Sequence, residues 1–278
     1  PEENGVWEGE KTVEPGIGQV VLTLGDGESM PLKRDTNRLI FGGTMLQVRN
    51  ERGTLVYSRI KSKEASEKIV YNTLTVPVRE RFQLVLADGT KVFLNSGSEM
   101  RYPERFGQAR RAVFLKGEAW FEVAKDSARE FWVHAGAMDV KVLGTSFNVK
   151  AYERLETVAT TLVEGSVEVA CAGKSFQIVP GEQFVYDKNN RVMDVRMVDT
   201  ESYVSWKDGY YKFRQTTLEE IMETLSVWYG LNVFYVNESA KQVEFTGKVK
   251  RYEDARMLLD KFEQTGDVVF DTQGNNLF

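Results

Sequence analysis

Between Leu84 and Tyr152 apolar residues recur at every second position, and turn-forming residues punctuate the runs. The segments LVLADGTKVFLNSGSEMRYP, AVFLKGEAWFEVAKD and VKVLGTSFNVKAY carry this pattern one after another. A strand sends successive side chains to opposite faces, so these segments read as sheet and not as helix. Phe82, Leu84 and Leu86 share one face. Trp120 with Glu122, and Phe121 with Val123, divide another stretch into two faces. Asp88-Gly89 lies between two runs at the spacing of a two-residue hairpin, a turn that needs positive φ.

The chain has 278 residues, which suggests one or two domains. A hydrophobic content of 42% supports a real core, and 12% aromatic residues argue against disorder. The net charge of −5 and a pI near 5.3 weigh against a nucleic-acid partner, which favours a basic surface. Cys171 is the single cysteine, so no intrachain disulfide forms. No run of about 18 apolar residues offers a membrane span.

The expected architecture is a multidomain α+β chain. Residues 1–18 read as an acidic tether and 19–198 as a mainly-β sandwich or jelly-roll-like domain. Residues 203–278 read as a small βαβ-repeat domain. Val21–Leu32 parallels Leu84–Leu94, with Asp26-Gly27 aligned on Asp88-Gly89, so the N-terminal part joins the same β domain. Asn50-Glu51-Arg52-Gly53 marks another hairpin, and Lys61–Lys68 a loop or short helix. Further strands are predicted at Ala112–Leu115, Phe131–Val133, Val140–Leu143, Val158–Val163, Val167–Ala170 and Phe176–Val179. Pro180-Gly181 has the chemistry of a type II turn. Asp199–Ser205 reads as a linker. Beyond Trp206 the period changes. A strand at Tyr210–Phe213 precedes a helix capped by Thr216 or Thr217, with an apolar stripe from Leu218 to Tyr229 and Gly230 at its end. Leu231–Val236 and Val243–Thr246 read as strands. Ala255, Leu258, Leu259 and Phe262 mark a second helix, and Val268–Phe270 a last strand.

Catalytic patterns are weak. His134 is the only histidine, which removes His-rich metal sites and leaves Ser127 and Asp126 without a local triad partner. Cys171, at a strand end, reads as a small buried apolar residue with no activating base nearby. Glu118 and Glu122 share a strand face, yet their Cα atoms stand ~13 Å apart, too far for most carboxylate pairs. The glycines match no phosphate-cradling loop. No catalytic residue, metal or cofactor is expected. Arg101, Arg105, Arg110, Arg111 and Lys116 surround Tyr102, Pro103 and Phe106. A solvated loop explains them, and a protein-contact patch is the sharper reading. Trp228 and Tyr229 continue a helical apolar face, with core as the default and an exposed anchor as the alternative.

Five ordered phrases, LADGTKVFLNSGSEMRYP, GEAWFEV, VLGTSFNV, LVEGSVEV and VPGEQ, resemble the FecR family of membrane-bound anti-sigma regulators. WKDGYYKF, TLEEIM, LSVWYGLNV and FTGKVKRYEDA resemble the C-terminal region of the same proteins. That region in turn resembles the short N-terminal domain of secretins and TonB-dependent transducers. Pro77-Val78-Arg79-Glu80-Arg81 departs from the family's PxGG-like phrase. The resemblance implies a periplasmic, non-enzymatic receiver. One helix ahead of Pro1 would hold the full-length protein in the inner membrane. Its implied partners are the signalling domain of an outer-membrane TonB-dependent transducer and, through a cytoplasmic segment, an extracytoplasmic-function sigma factor. The C-terminal domain is the expected receiving surface, with Tyr210, Tyr211, Lys248 and Arg251 as candidate edge or rim residues. Two other readings stay open. One is a carbohydrate-binding or carbohydrate-cleaving sandwich with Trp120, Phe121 and Trp132 as a stacking platform. The other is a structural piece of a secretin-like assembly.

Overall fold

The computed structural model describes residues 18–33, 38–42, 46–51, 54–59, 69–251 and 254–278. Residues 1–17 of the expected tether, the Arg52-Gly53 turn and the 61–68 segment lie outside them. The strands are taken in chain order. β1 (Val20–Thr23) and β2 (Ser29–Leu32) form a hairpin, followed by β3 (Arg38–Gly42), β4 (Leu46–Glu51), β5 (Thr54–Arg59) and β6 (Tyr71–Thr75). Next come β7 (Phe82–Val85), β8 (Lys91–Leu94), β9 (Glu99–Pro103) and the long β10 (Arg111–Glu122). Four more hairpin partners follow as β11 (Phe131–Ala135), β12 (Met138–Val142), β13 (Ser146–Ala151) and β14 (Thr157–Glu164). β15 (Val167–Cys171), β16 (Lys174–Ile178), β17 (Glu182–Asp187) and β18 (Val192–Met197) complete the β region.

These strands make two layers. One has the order β2-β1-β6-β9-β10-β11-β12-β15-β16. The other has the order β3-β4-β5-β7-β8-β10-β13-β14-β17-β18. The buried faces of both contribute to one apolar core, from Leu22, Leu74 and Met100 on one side to Leu84, Phe121 and Phe147 on the other. Among the described residues β10 alone belongs to both layers. Arg111–Lys116 pairs in the first, and Gly117–Glu122 in the second.

Gly117 permits that crossing. Its φ is +103°, a backbone region that side chains resist. A Cβ there would also stand 2.4 Å from Ser98 Oγ and 2.7 Å from Ser98 Cα. Ser98 Oγ accepts from the Glu118 amide at 2.8 Å, so the close approach serves a bond across the crossing.

The Asp-Gly hairpins differ from the two-residue expectation. Leu86 N–H donates to Thr90 O, and Gly89 N–H donates to Leu86 O. The loop is therefore Ala87-Asp88-Gly89, with positive φ at Gly89 alone. Leu24, Gly27 and Glu28 repeat the same bonds in the β1–β2 hairpin. Asp88 is drawn into this turn because its carboxylate accepts from Thr90 N and Oγ1. The Pro180-Gly181 turn follows the expectation, with Glu182 N–H on Val179 O and Gly181 at φ +93°.

The expected linker is instead helical. α1 (Thr200–Val204) is capped by the Asp199 side chain, and a 3-10 turn at Ser205–Asp208 buries Trp206. β19 (Tyr210–Thr217) leads into α2 (Leu218–Tyr229), where Thr217 Oγ1 accepts from Glu220 N and Gly230 closes the helix at φ +69°. β20 (Asn232–Val233) is shorter than the predicted Leu231–Val236 strand. β21 (Glu244–Lys250) pairs with β19, and α3 (Ala255–Glu263) follows. Val268–Phe270 is not a strand. The final pair is β22 (Thr272–Gln273) with β23 (Asn276–Leu277), because the turn at Gly274, φ +62°, sets the hairpin further on. α2, α3 and β19 bury a second apolar cluster that includes Ile221, Leu225, Leu258 and Phe262.

Two outcomes are expected. Gly117→Val is destabilising by about 3 kcal/mol or more, through positive φ and overlap with Ser98. Urea unfolding of the purified variant measures this. The second concerns a buried polar cluster, where Asn72 Nδ2 donates to Tyr57 Oη at 2.7 Å and Tyr57 Oη lies 3.0 Å from Tyr102 Oη. Burial raises the Tyr57 phenol to about 12. A phenol whose pKa is higher when folded stabilises the fold fully below the unfolded value near 10, and that contribution fades as pH rises towards 12. The urea midpoint should therefore fall between pH 10 and 12, with Tyr57 supplying about 3 kcal/mol of the loss, and Tyr57→Phe should blunt the fall.

Candidate functional site: the seam between the β layers and the C-terminal unit

Glu118 stands on the second-layer half of β10, with its side chain on the face away from the β core. It is nonetheless buried. Asn95 Nδ2, just after β8, donates to Glu118 Oε2 at 2.7 Å, and Asn148 Nδ2 on β13 donates to Oε1 at 2.9 Å. Trp206 Nε1 donates to Asn148 Oδ1 at 3.2 Å. Arg251, fully buried, donates through one terminal nitrogen to Trp206 O at 2.9 Å and through the other to Asn95 Oδ1. Its guanidinium lies 3.5 Å from the Trp228 ring centre. Glu118, Asn95, Arg251, Trp206 and Asn148 thus close a ring of polar contacts that crosses from the β layers to the C-terminal unit.

Further bonds flank the ring. Ser96 Oγ donates to Val227 O at 3.0 Å, and Tyr152 Oη donates to Ser96 O at 2.8 Å. Tyr229 Oη donates to Arg251 O at 3.2 Å. Burial pushes the Tyr152 phenol well up, reinforced by the Glu118 carboxylate, and pushes Tyr211 up against the lowering influence of Arg251. Both hydroxyls therefore stay protonated around neutral pH. Trp120 packs with the C-terminal cluster and not with the β core. Lys150–Glu223 and Arg196–Glu220, each at 3.4 Å, join the two parts at the margin. A cleft of about 340 Å³ runs along this margin, lined among others by Lys150, Arg196, Lys212 and Glu223.

The eight candidate contact residues do not gather in one place. Arg251 is in the seam and Tyr211 is buried, so neither forms a rim. Arg111 is fully buried as well. It pairs with Asp88 at 2.9 Å and donates to the carbonyls of Ala124 and Arg129, which makes it an internal clamp and not part of a basic patch. Arg101 stacks over Tyr71 at 4.2 Å on the outer face of the first layer. Arg105 is half-buried and Arg110 exposed. Tyr210 and Lys248 do face outward together, with the ammonium 3.5 Å from the ring centre. β21 is largely exposed and pairs with β19 alone among the described strands, so one edge is open beside Lys248.

The other singled-out residues have structural surroundings. His134 Nδ1 lies 2.7 Å from Asp139 Oδ1, and the ring stacks on Phe114. Cys171 is buried, which raises its thiol pKa. Glu122 bonds Trp120 Nε1 and Lys91, separately from Glu118. Trp228 and Tyr229 are both buried. Trp120 and Phe121 are buried too, and Trp132 carries Lys141 5.6 Å from its ring centre, so the three do not form a stacking platform. Among the described residues no cluster of three or more His, Cys, Asp or Glu is placed to hold a metal, and no helix is long and apolar enough to cross a membrane.

The seam generates a prediction. Arg251→Met removes the cation and its bonds to Asn95 Oδ1 and Trp206 O, which keep only the Ser96 and Gly209 amides as donors, a loss of about 3 kcal/mol. Unfolding in urea should then show the C-terminal unit melting before the β layers. A single unshifted transition would refute the role given to the ring.

Residues 72–168 match the family described as FecR protein, and residues 210–278 match the family described as FecR, C-terminal. The comparison with curated proteins gives no match. Two crystal structures of a candidate anti-sigma factor from Parabacteroides distasonis ATCC 8503 are similar to this chain, each with 28% identity and a TM-score of 0.67. The likeness covers 74% of this chain, and 96% and 97% of those two chains. FecR proteins are regulatory, non-enzymatic and membrane-anchored, with a periplasmic region. The matched regions contribute from both sides to the polar ring, and the chain belongs to the FecR family of anti-sigma regulators.

Proposed function

We propose that this chain is the periplasmic, signal-receiving part of a membrane-tethered anti-sigma factor with no enzymatic activity. In this reading it relays the state of an outer-membrane TonB-dependent transducer to an extracytoplasmic-function sigma factor. One helix preceding the chain holds the protein in the inner membrane, and residues 1–18 are the tether. Residues 19–198 form a jelly-roll-like sandwich, and residues 203–278 a unit like the short N-terminal domain of secretins and TonB-dependent transducers. Two separate apolar clusters support this division. The observation that carries the reading is the succession of two FecR regions in one chain whose likeness extends to a candidate anti-sigma factor. The polar seam supports a relay, because a partner that favours one arrangement of the C-terminal unit then also acts on the β layers.

The open edge of β21, beside Tyr210 and Lys248, is the proposed receiving surface, since an incoming strand can satisfy its free backbone groups. Calorimetric titration of the cognate transducer's signalling domain into the whole chain tests it. Lys248→Glu should weaken binding about tenfold, while Arg105→Glu and Arg110→Glu leave it unchanged. The reverse pattern would move the site to the β layers.

A further inference from the structure

β18 closes one end of the second layer, where it pairs with β17 alone among the described strands. Val198 N–H donates to Gly181 O, one step past the Met197–Glu182 pair. Backbone bonds alternate sides along a strand, so Asp194 and Arg196 also bond towards β17. The N–H and C=O groups of Met193, Val195 and Met197 therefore point away from β17, and among the described residues no backbone group bonds to them. After Met197 the chain turns back across the outer face, where Ser202 and Tyr203 of α1 line the seam cleft with Thr157 of β14. The edge itself is left uncovered.

Side chains on this strand add a second signal. Met197 and Val192 are 71% and 56% exposed, the two largest values for big apolar residues in the described β region. Exposed apolar side chains along an open edge favour the addition of another strand. Met193 and Val195 point to the other side and pack at the border of the β core. Charges on an edge normally oppose such pairing, and β18 carries exposed Asp194 and Arg196 on its outer face. Asp194 makes no ion pair among the described residues. Arg196 lies 3.4 Å from Glu220 at the cleft margin, and its guanidinium has further donors to offer.

The spacing of these charges selects the partner. A second β18 laid antiparallel must place the outward-bonding residues of the two copies opposite one another. Centred on Asp194, such a pair would oppose two carboxylates, and centred on Arg196, two guanidinium groups. Centred on Val195, it sets Asp194 of each copy against Arg196 of the other. The same register sets Met193 against Met197 and Val192 against Val198, so the whole strand overlaps. We propose that this chain forms a two-fold symmetric dimer through β18, with the second layer continuing from one copy into the next. Each outward-bonding pair exchanges both backbone bonds, and Met193, Val195 and Met197 extend the core across the join. The β21 edge belongs to another sheet and stays outside this contact.

Sedimentation equilibrium of the whole chain tests this. It should show monomer and dimer in exchange, with a dissociation constant on the order of 10–100 μM for a contact of one strand edge. D194R and R196D should each weaken the dimer about tenfold or more, because like charges then face each other on both sides of Val195. Mixed in equal amounts, the two variants should associate with each other at wild-type strength, since every opposed pair is again of opposite sign. V195P should abolish the dimer by removing an outward N–H, with circular dichroism unchanged because an open edge accepts proline. Four results would overturn the proposal: a wild-type chain that stays monomeric to several hundred micromolar, single charge variants that dimerise as the wild type does, a mixture that fails to associate, or a V195P chain that still dimerises.

Discussion

Both carboxylate oxygens of Glu118 are held by asparagine amides, and one of those asparagines also receives the buried Arg251 guanidinium. Burying an acid and a base is costly unless every polar atom around them is engaged. The ring closes only with both parts of the chain in place, through Arg251 to Asn95 and Trp206 to Asn148. Asn95, Glu118 and Asn148 come from the β layers, and Trp206 and Arg251 from the C-terminal unit. A partial separation would expose a carboxylate in one part and a guanidinium in the other, so the two units are held in one arrangement.

The same stretch of chain organises the layers beneath. β10 enters in one sheet and leaves in the other, and the change falls at Gly117, immediately before Glu118. One short segment therefore links the two layers to each other and then the β region to the C-terminal unit. Ser98 ties this point to the end of the β8–β9 connection through the Glu118 amide. A regulator built this way has few independent parts between its C-terminal surface and its β region.

The phrases that carry the family resemblance also build the seam. Asn95 comes from the LNSGS stretch, Glu118 from GEAWFEV, Asn148 from GTSFNV, Trp206 from WKDG and Arg251 from FTGKVKR. Nothing in strand periodicity singles these residues out, because a polar residue on a strand normally reads as solvent-facing. One signal was present: Trp120 and Glu118 share the face that alternation assigns to solvent, and a large aromatic there implies a cover. The same limit explains the misplaced arginines. Arg111 and Arg251 look like surface cations in sequence, yet Asp88 and Asn95, far from them along the chain, receive them inside the fold.

Local chemistry by itself determined most strands of the β region, the hairpin glycines, a threonine cap at 216 or 217, the Gly230 stop and the change from strand to helix spacing, since each depends on neighbours within a few residues. It also determined the family, through phrases read in order. Tertiary structure alone decided the division of strands between two layers, the crossing at Gly117, the helical state of 200–204 and the shortening of the last strands. It also decided which charges are buried. Those outcomes depend on partners from distant parts of the chain, and a buried ion pair is visible only when both of its ends are placed.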